Sequence, residues 1–435
     1  MRERPQHLER VRLEKMVGEG KALATTADGR KLFVWGGLPG EDVTVQVTKK
    51  RSKMLEGFVS EVHEASKLRV EPRDPDSYLS TSPWQIMSLE TENDFKAQLV
   101  QEAYELHNLT LPGDIHIYSD GNEYGYRNKV EFSFWWDRET GKLDLAFFRR
   151  GSHQKIEVEG TSLASDAINA AGQRLRDILR ARPELNGLEL KTFLVRSTQT
   201  GEVSGQLYVK SPKFPQLTPQ ELETLSIQGF ELIYSNPKSP ASVITERLQS
   251  EGDSWLIDHI LDVPFRYATE GFFQINVPVY EQALKDMQQF IPANKPTVDL
   301  YSGVGSIGLT IGGEQVTLVE LNEHAVREMK ENIKALGKTN VQAVLAASET
   351  ALEHITSQAT IIVDPPRAGL HDAVIERLLS EKPETIIYLS CNPVTQARDF
   401  QKLQKAYTVK HHQGYNFFPH TPHTEYLIIL QRTYI

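Results

Sequence analysis

The sequence predicts an α/β chain whose C-terminal half is a doubly wound, mainly parallel sheet. A small β-barrel and a central β-rich unit precede it. Three observations carry this reading. From about Gly229 onward, short aliphatic runs alternate with amphipathic helical stretches. Several of those runs stop at a residue able to do chemistry: Asp299, Glu320, Asp364 and Cys391. Before Ala65 the pattern is instead one of short alternating strands broken by Gly, Pro and Asp. These shifts divide the chain into units 1–64, 65–228 and 229–435.

A chain of 435 residues has room for two to four domains. Its 39% hydrophobic and 24% charged content is that of an ordinary globular protein. A single cysteine excludes an intramolecular disulfide, a cysteine-rich zinc site and an all-cysteine iron–sulfur site. A net charge of −10 argues against indiscriminate nucleic-acid binding but leaves room for a local basic surface. The N-terminus, MRERPQHLERVRLEKMVGEG, has no apolar h-region, and no stretch approaches spanning length. A cytoplasmic monomer without membrane partners is expected.

Between Leu8 and Ala65, Val43, Val45 and Val47 share one strand face, and Phe58, Ser60 and Val62 continue the pattern. Strands so spaced suggest a barrel of OB type. Thr48 to Lys53 concentrates Lys49, Lys50, Arg51 and Lys53 in one loop, either a phosphate contact or a solvated hairpin tip. A Pro/Asp/Ser-rich connector (Pro72 to Pro83) leads to an amphipathic helix over Leu89 to Leu109. The block from Gly125 to Trp136, continued by Leu143 to Lys155, interleaves aromatics with Arg127, Lys129, Arg149 and Arg150. That mixture suits stacking on exposed bases while neutralising phosphates; an ordinary sheet with aromatic core residues fits it equally. Asp166 to Arg182 reads as a helix, and Leu190 to Val209 as a hairpin turning at Gln199-Thr200-Gly201.

In the C-terminal half, a helix from Pro278 to Phe290 precedes strands at Thr297–Tyr301, Gln315–Glu320, Val341–Leu345, Thr360–Val363, Thr385–Leu389 and Glu425–Gln431. Helices open at Gly305 and His324. Asp299-Leu300-Tyr301-Ser302-Gly303-Val304-Gly305-Ser306 closes a strand and opens a helix, so its amides can approach a ligand. Glu320 ends the next strand, where a carboxylate can accept from both hydroxyls of a ribose. The letters satisfy the dinucleotide pattern GxGxxG, which keeps an NAD(P)-linked oxidoreductase open. Asp299, placed to engage a cationic amino-acid end, favours S-adenosylmethionine.

Ile386-Ile387-Tyr388-Leu389-Ser390-Cys391-Asn392-Pro393 reads as a buried strand followed by an N-cap and a proline at the first helical position. Cys391 then lies where open α/β sheets place ligands and where a helix dipole stabilises a thiolate. The alternative is a buried small hydrophobe. Asp364-Pro365-Pro366 ends another strand, the prolines holding the backbone extended beyond the acid. His420, His423 and Glu425 match no metal-ligand spacing and lack a fourth ligand, so no metal site is expected. Glu425, at a strand start, is better placed to act as a base.

Taken together, GEGKA in the barrel, GYRNK, FFQIN, DLYSGVGSIGL, IIVDPPRAGL, LSCNPVTQARD and FPHTPHTE resemble the RNA uracil-5-methyltransferase family, in its TRAM-bearing ribosomal-RNA branch. The resemblance implies a Rossmann-like methyltransferase domain, a TRAM RNA-binding barrel and a central RNA-binding domain. It implies Cys391 as nucleophile, Glu425 as base, and Gln274, Tyr301, Ser306, Glu320 and Asp364 around S-adenosylmethionine. The expected substrate is a uridine of 23S ribosomal RNA, with transfer RNA second. A non-catalytic RNA-binding factor is a third reading, which an intact Cys391 and Glu425 oppose. The chain departs from the pattern twice. Where many relatives carry iron–sulfur cysteines it has Ser80-Thr81-Ser82-Pro83-Trp84-Gln85 and Gly160-Thr161-Ser162, so no cluster is expected and Trp84 is expected to pack into that space. Where an Asp commonly holds the adenine amine it has Ser348.

Overall fold

The structure is a computed structural model and describes residues 8–433. At the N-terminus, Leu8–Arg12 and Lys15–Val17 form a broken strand that pairs with Asp42–Lys50 on one side and Lys21–Thr25 on the other. Lys31–Trp35 follows Lys21–Thr25 antiparallel and lies parallel to Met54–Glu64, which returns to Asp42–Lys50. This circuit closes an OB-type barrel around Leu13, Ala22, Leu32, Val43, Val45 and Leu55. Val43, Val45 and Val47 face inward as expected, but Phe58 and Ser60 do not. Leu55 and Val59 carry the inner face, and an irregularity opposite Thr44 and Val45 brings Val62 back to it. One extra residue in a strand reverses every later facing. The basic run divides between the strand end at Lys50 and an exposed turn, Arg51 to Lys53.

The central sheet has seven strands, ordered Lys155–Val158, Leu143–Phe148, Lys129–Trp136, Leu190–Ser197, Val203–Val209, Gly229–Tyr234 and Glu246–Gly252. Helix Asp166–Arg180 covers one face, over a core that includes Phe132, Phe134, Phe193 and Leu207. The expected aromatic stacking surface is therefore partly core, because strand alternation turns Phe132 and Phe134 inward. The expected boundary at residue 228 falls inside this sheet. Gly229–Tyr234 pairs parallel with Val203–Val209, so the unit runs on to Gly252. Helix Leu89–Glu105, expected in the same unit, packs elsewhere. Its Val100 and Tyr104 share a core with Leu300, Ile361 and Tyr388.

The third sheet has eight strands, ordered Val341–Leu345, Val316–Glu320, Thr297–Leu300, Thr360–Val363, Thr385–Ser390, Glu425–Arg432, Tyr407–Tyr415 and Ile117–Tyr118. The first five are parallel, and Glu425–Arg432 runs antiparallel to both neighbours. Apolar clusters cover both faces, which explains the continuous hydrophobic run from Tyr426 to Leu430, fully buried throughout. The order of the strands reverses between Thr297–Leu300 and Thr360–Val363, a topological switch point at which such sheets open a crevice. Among the described residues no helix is long and apolar enough to cross a membrane.

Candidate active site

Strand register sets out the site. Leu300 lies beside Val363, Val363 beside Tyr388, and Ser390 opposite Tyr426. The next residues out along this edge are Tyr301, Asp364 and Cys391, with Glu425 at the start of the antiparallel strand. Glu320 ends the neighbouring strand on the far side of Thr297–Leu300.

Side chains tie these strand ends together. Asn392 caps helix Pro393–Leu403 by accepting the Val394 N–H at 3.2 Å, while its Nδ2 donates to the Arg367 carbonyl at 2.9 Å. The turn bearing Cys391 is thereby fixed to the turn after Asp364. Asp399 accepts from the Leu370 N–H and the Tyr388 hydroxyl, each at 2.8 Å. Gln396 donates to the carbonyls of Tyr388 and Tyr426, at 3.0 and 2.8 Å, bridging the strands that carry Cys391 and Glu425.

In the glycine turn, Tyr301, Gly303 and Gly305 have φ of 62°, 58° and 85°. A left-handed tyrosine is costly and is held here by its surroundings. A Cβ on Gly303 would meet nothing within 4 Å, so the turn is open to a ligand. The Gly303 N–H donates to Glu320 Oε2 at 2.9 Å, and Asn322 N–H to Oε1 at 2.7 Å, which orients the carboxylate over the turn. Ser306 Oγ lies 2.9 Å from the Tyr280 hydroxyl. Ser348 is buried beside Tyr301. Gln274 is held through its backbone: Asn128 donates to its carbonyl at 2.8 Å, and Arg196 to that of Gly271 at 2.8 Å. Asp299 departs from expectation. It does not line the cavity but lies beneath the turn, fully buried, where Oδ2 accepts the Gly308 N–H at 2.9 Å and Oδ1 has no partner.

A cavity of about 2140 Å³ joins these residues to Trp35 of the barrel and to Arg127, Lys129 and Arg150 of the central sheet. Those three cations are partly committed. Arg127 Nε donates to the Lys129 carbonyl at 3.0 Å, and Lys129 Nζ to that of Glu270 at 3.2 Å. The Arg150 guanidinium stacks 4.2 Å from the Trp35 ring centre and bonds the Leu79 carbonyl. Burial lowers Lys129 to about 8. Lys50, Arg51, Lys53 and Arg149 are exposed on the surface, as is Lys49, paired with Glu56 at 3.4 Å.

Burial, then Glu425 and Asp364, push the Cys391 thiol up to about 11, against Arg367. The helix N-terminus is outweighed first by burial and then by the two carboxyls that share the thiol's pocket. Burial raises Asp364 to about 7, and burial followed by Asp364 raises Glu425 well above the carboxylate range. Arg367, part of the sequence motif but without an expected role, opposes the rise at both Cys391 and Glu425. Its Nη2 lies 3.2 Å from His423 Nδ1. Its place directly after Asp-Pro-Pro is the one local signal that could have marked it.

The serine- and threonine-bearing segments form a polar knot. Asp74 accepts from Ser162 Oγ at 2.8 Å, Thr161 Oγ1 at 3.3 Å and Gln85 Nε2 at 3.0 Å. Trp84 is buried with Met16 and Phe95. Among the described residues no group of three His, Cys, Asp or Glu could hold a metal.

An open glycine turn, an acid oriented over it and a thiol beside two carboxyls suit an enzyme that transfers a group from a nucleoside-bearing cofactor. The family model for tRNA (uracil-5-)-methyltransferases matches residues 93–433. An uncharacterized RNA methyltransferase of Enterococcus faecalis is 30% identical over 433 residues, covering 92% of each chain. One from Caldanaerobacter subterraneus is 30% identical over 453 residues, covering 97% of this chain and 98% of its own. The crystal structure of Pyrococcus abyssi tRNA (uracil-54, C5)-methyltransferase in complex with S-adenosyl-L-homocysteine matches with a TM-score of 0.78 at 22% identity, over 97% of this chain and 100% of that one. The chain belongs to the tRNA (uracil-5-)-methyltransferase family. It is an S-adenosylmethionine-dependent RNA methyltransferase, and the open turn at Gly303 with Glu320 above it fits that cofactor.

Two outcomes are expected. Iodoacetamide should alkylate the single cysteine about tenfold faster per pH unit up to about pH 11, and Arg367→Ala should slow it at a given pH. A midpoint near the ordinary thiol value of about 8.5 would contradict the combined influence of burial and the carboxyls. Asp299 is raised from 3.8 to about 8, so the folded state keeps a proton the unfolded chain loses, and stability falls as pH rises through that window. Asp299→Asn should flatten the dependence of Tm on pH between about 4 and 8.

Proposed function

We propose that the protein methylates C5 of one uridine in a structured RNA by covalent catalysis. The observation that carries this reading is the register of Ser390 opposite Tyr426, which makes Cys391 and Glu425 neighbours at one sheet edge. Once its thiol proton has passed to water, Cys391 sulfur adds to C6 of the uracil and the C5–C6 electron pair moves toward the C4 carbonyl, making C5 a nucleophilic enolate carbon. Bound S-adenosylmethionine supplies an electrophilic methyl group on a cationic sulfur, with Gln274, Tyr301, Gly303, Ser306, Glu320 and Asp364 as the residues to hold it. Glu425 then takes the C5 proton, the C5–C6 double bond reforms and the Cys391 thiolate leaves. Arg367 favours both ionised forms.

For the substrate we infer 23S ribosomal RNA, acting in the cytoplasm, with the exposed cations of the barrel hairpin and Arg149 as phosphate contacts. The barrel motif and its basic hairpin support this choice. Transfer RNA is the second reading. It is favoured by the family description and by a tRNA enzyme whose fold matches nearly the whole chain, barrel included.

RNA carrying 5-fluorouridine should trap a Cys391-linked adduct in the presence of the methyl donor, since fluorine cannot leave as a proton. Comparing ribosomal and transfer RNA fragments identifies the substrate, and no adduct with either would sink the mechanism. Cys391→Ala should abolish turnover while leaving cofactor binding intact. Glu425→Gln should slow turnover by roughly 10²–10⁴-fold and accumulate a methylated adduct.

A further inference from the structure

The segment from Asn416 to Thr424 links strand Tyr407–Tyr415 to the strand that begins at Glu425. It has no regular structure, yet Asn416, His420, Thr421 and Thr424 are buried. Several of its polar groups are satisfied from outside the catalytic sheet, although the two ring nitrogens of His420 have no hydrogen-bond partner among the described residues. The His420 N–H donates to Glu92 Oε2 at 2.7 Å, and the Phe418 carbonyl accepts from Lys96 Nζ at 3.2 Å. The Asn416 amide lies between the same two side chains, its Oδ1 accepting from Lys96 and its Nδ2 donating to Glu92 Oε1 at 2.9 Å. An amide between a cation and an anion has only one favourable orientation, so this contact also fixes the start of the segment.

Glu92 and Lys96 are one turn apart on helix Leu89–Glu105 and pair at 2.7 Å, with neither side chain exposed. A buried ion pair is a weak source of stability, because desolvation offsets its attraction. Here the capacity left over after pairing goes to one segment. The barrel closes the other side: Trp84 Nε1 donates to the Gly20 carbonyl at 2.9 Å, and a Cβ on Gly20 would stand 2.1 Å from Pro422.

We propose that Glu92 and Lys96 are positioning residues that seat the 416–424 segment and so aim Glu425 at C5 of the target uracil. This rests on the reading of Glu425 as the base. Lys96→Met alone leaves Glu92 buried without its partner and should lower both stability and turnover. The double variant Glu92→Gln/Lys96→Met removes both charges and should recover much of the thermal stability. Its kcat should remain down on the order of 10²-fold, the scale of a small misplacement of a reacting group. Cofactor affinity should stay within about twofold, because the cofactor residues lie on other segments. Methylated adduct should accumulate, and RNA with 5-deuterated uridine should show a larger isotope effect, because C5 proton removal has become slow.

Wild-type turnover per folded molecule in the double variant would overturn the proposal, as would a loss with neither adduct nor isotope effect. Should that variant not fold, Asn416→Ala cuts the same link from the loop side and is held to the same two readouts. Glu425→Gln, run in parallel, separates the two failures. If it turns over normally, the base reading falls and this proposal with it; if it accumulates adduct while the positioning variants do not, only the positioning role falls.

Discussion

The antiparallel pairing of Glu425–Arg432 with Thr385–Ser390 is the constraint on which the rest of the site depends. In a wholly parallel sheet the strand beginning at Glu425 would present its other end to the crevice. Reversing it brings a strand start next to a strand end, so the first residue of one strand can face the residue just past the end of the other. Gln396 reinforces this at the point where it matters, donating to a carbonyl on each strand. Helix Pro393–Leu403 thus holds both the turn before it and the strand opposite.

That closeness has an electrostatic consequence. Asp364, Cys391 and Glu425 share one poorly solvated pocket, and each is shifted toward its neutral form. A group that resists ionisation is a strong base once ionised, which suits the base role proposed for Glu425. It also lowers the reactivity of the resting thiol, so the single cysteine is shielded from adventitious chemistry. Arg367 is the counterweight, sited where its charge reaches both Cys391 and Glu425.

What could be read from the sequence followed how local each signal was. Cys391, Asp364 and Glu320 are marked by a cap, a proline pair and a glycine turn within a few residues, and they lie at strand ends as anticipated. Asp299 has the same local setting, but spacing does not say on which side of the turn a side chain lies, and it is buried beneath. Phe58 leaves its expected face because of an irregularity in strand pairing, and the boundary at 228 fails because two strands separated by a helix pair with each other. Arg150 reads as a surface cation but stacks on Trp35, a contact between two units. Non-local pairing of this kind leaves no mark in a short window of sequence.

The same distinction bears on what the first two units do. Their exposed cations make them look like grips for RNA, and the surface of the barrel hairpin is consistent with that. Their buried faces do something else. Asn128 and Arg196 hold the backbone around Gln274, the Tyr126 hydroxyl donates to the Pro419 carbonyl at 3.0 Å, and the Trp84 backbone N–H donates to the His420 carbonyl at 3.1 Å. The two loops that flank the cavity are therefore shaped by residues outside the catalytic sheet. A catalytic domain cut free at Gly252 would lose the edge strand Ile117–Tyr118 and the partners of both loops, so the N-terminal units belong to the active site as much as to substrate binding.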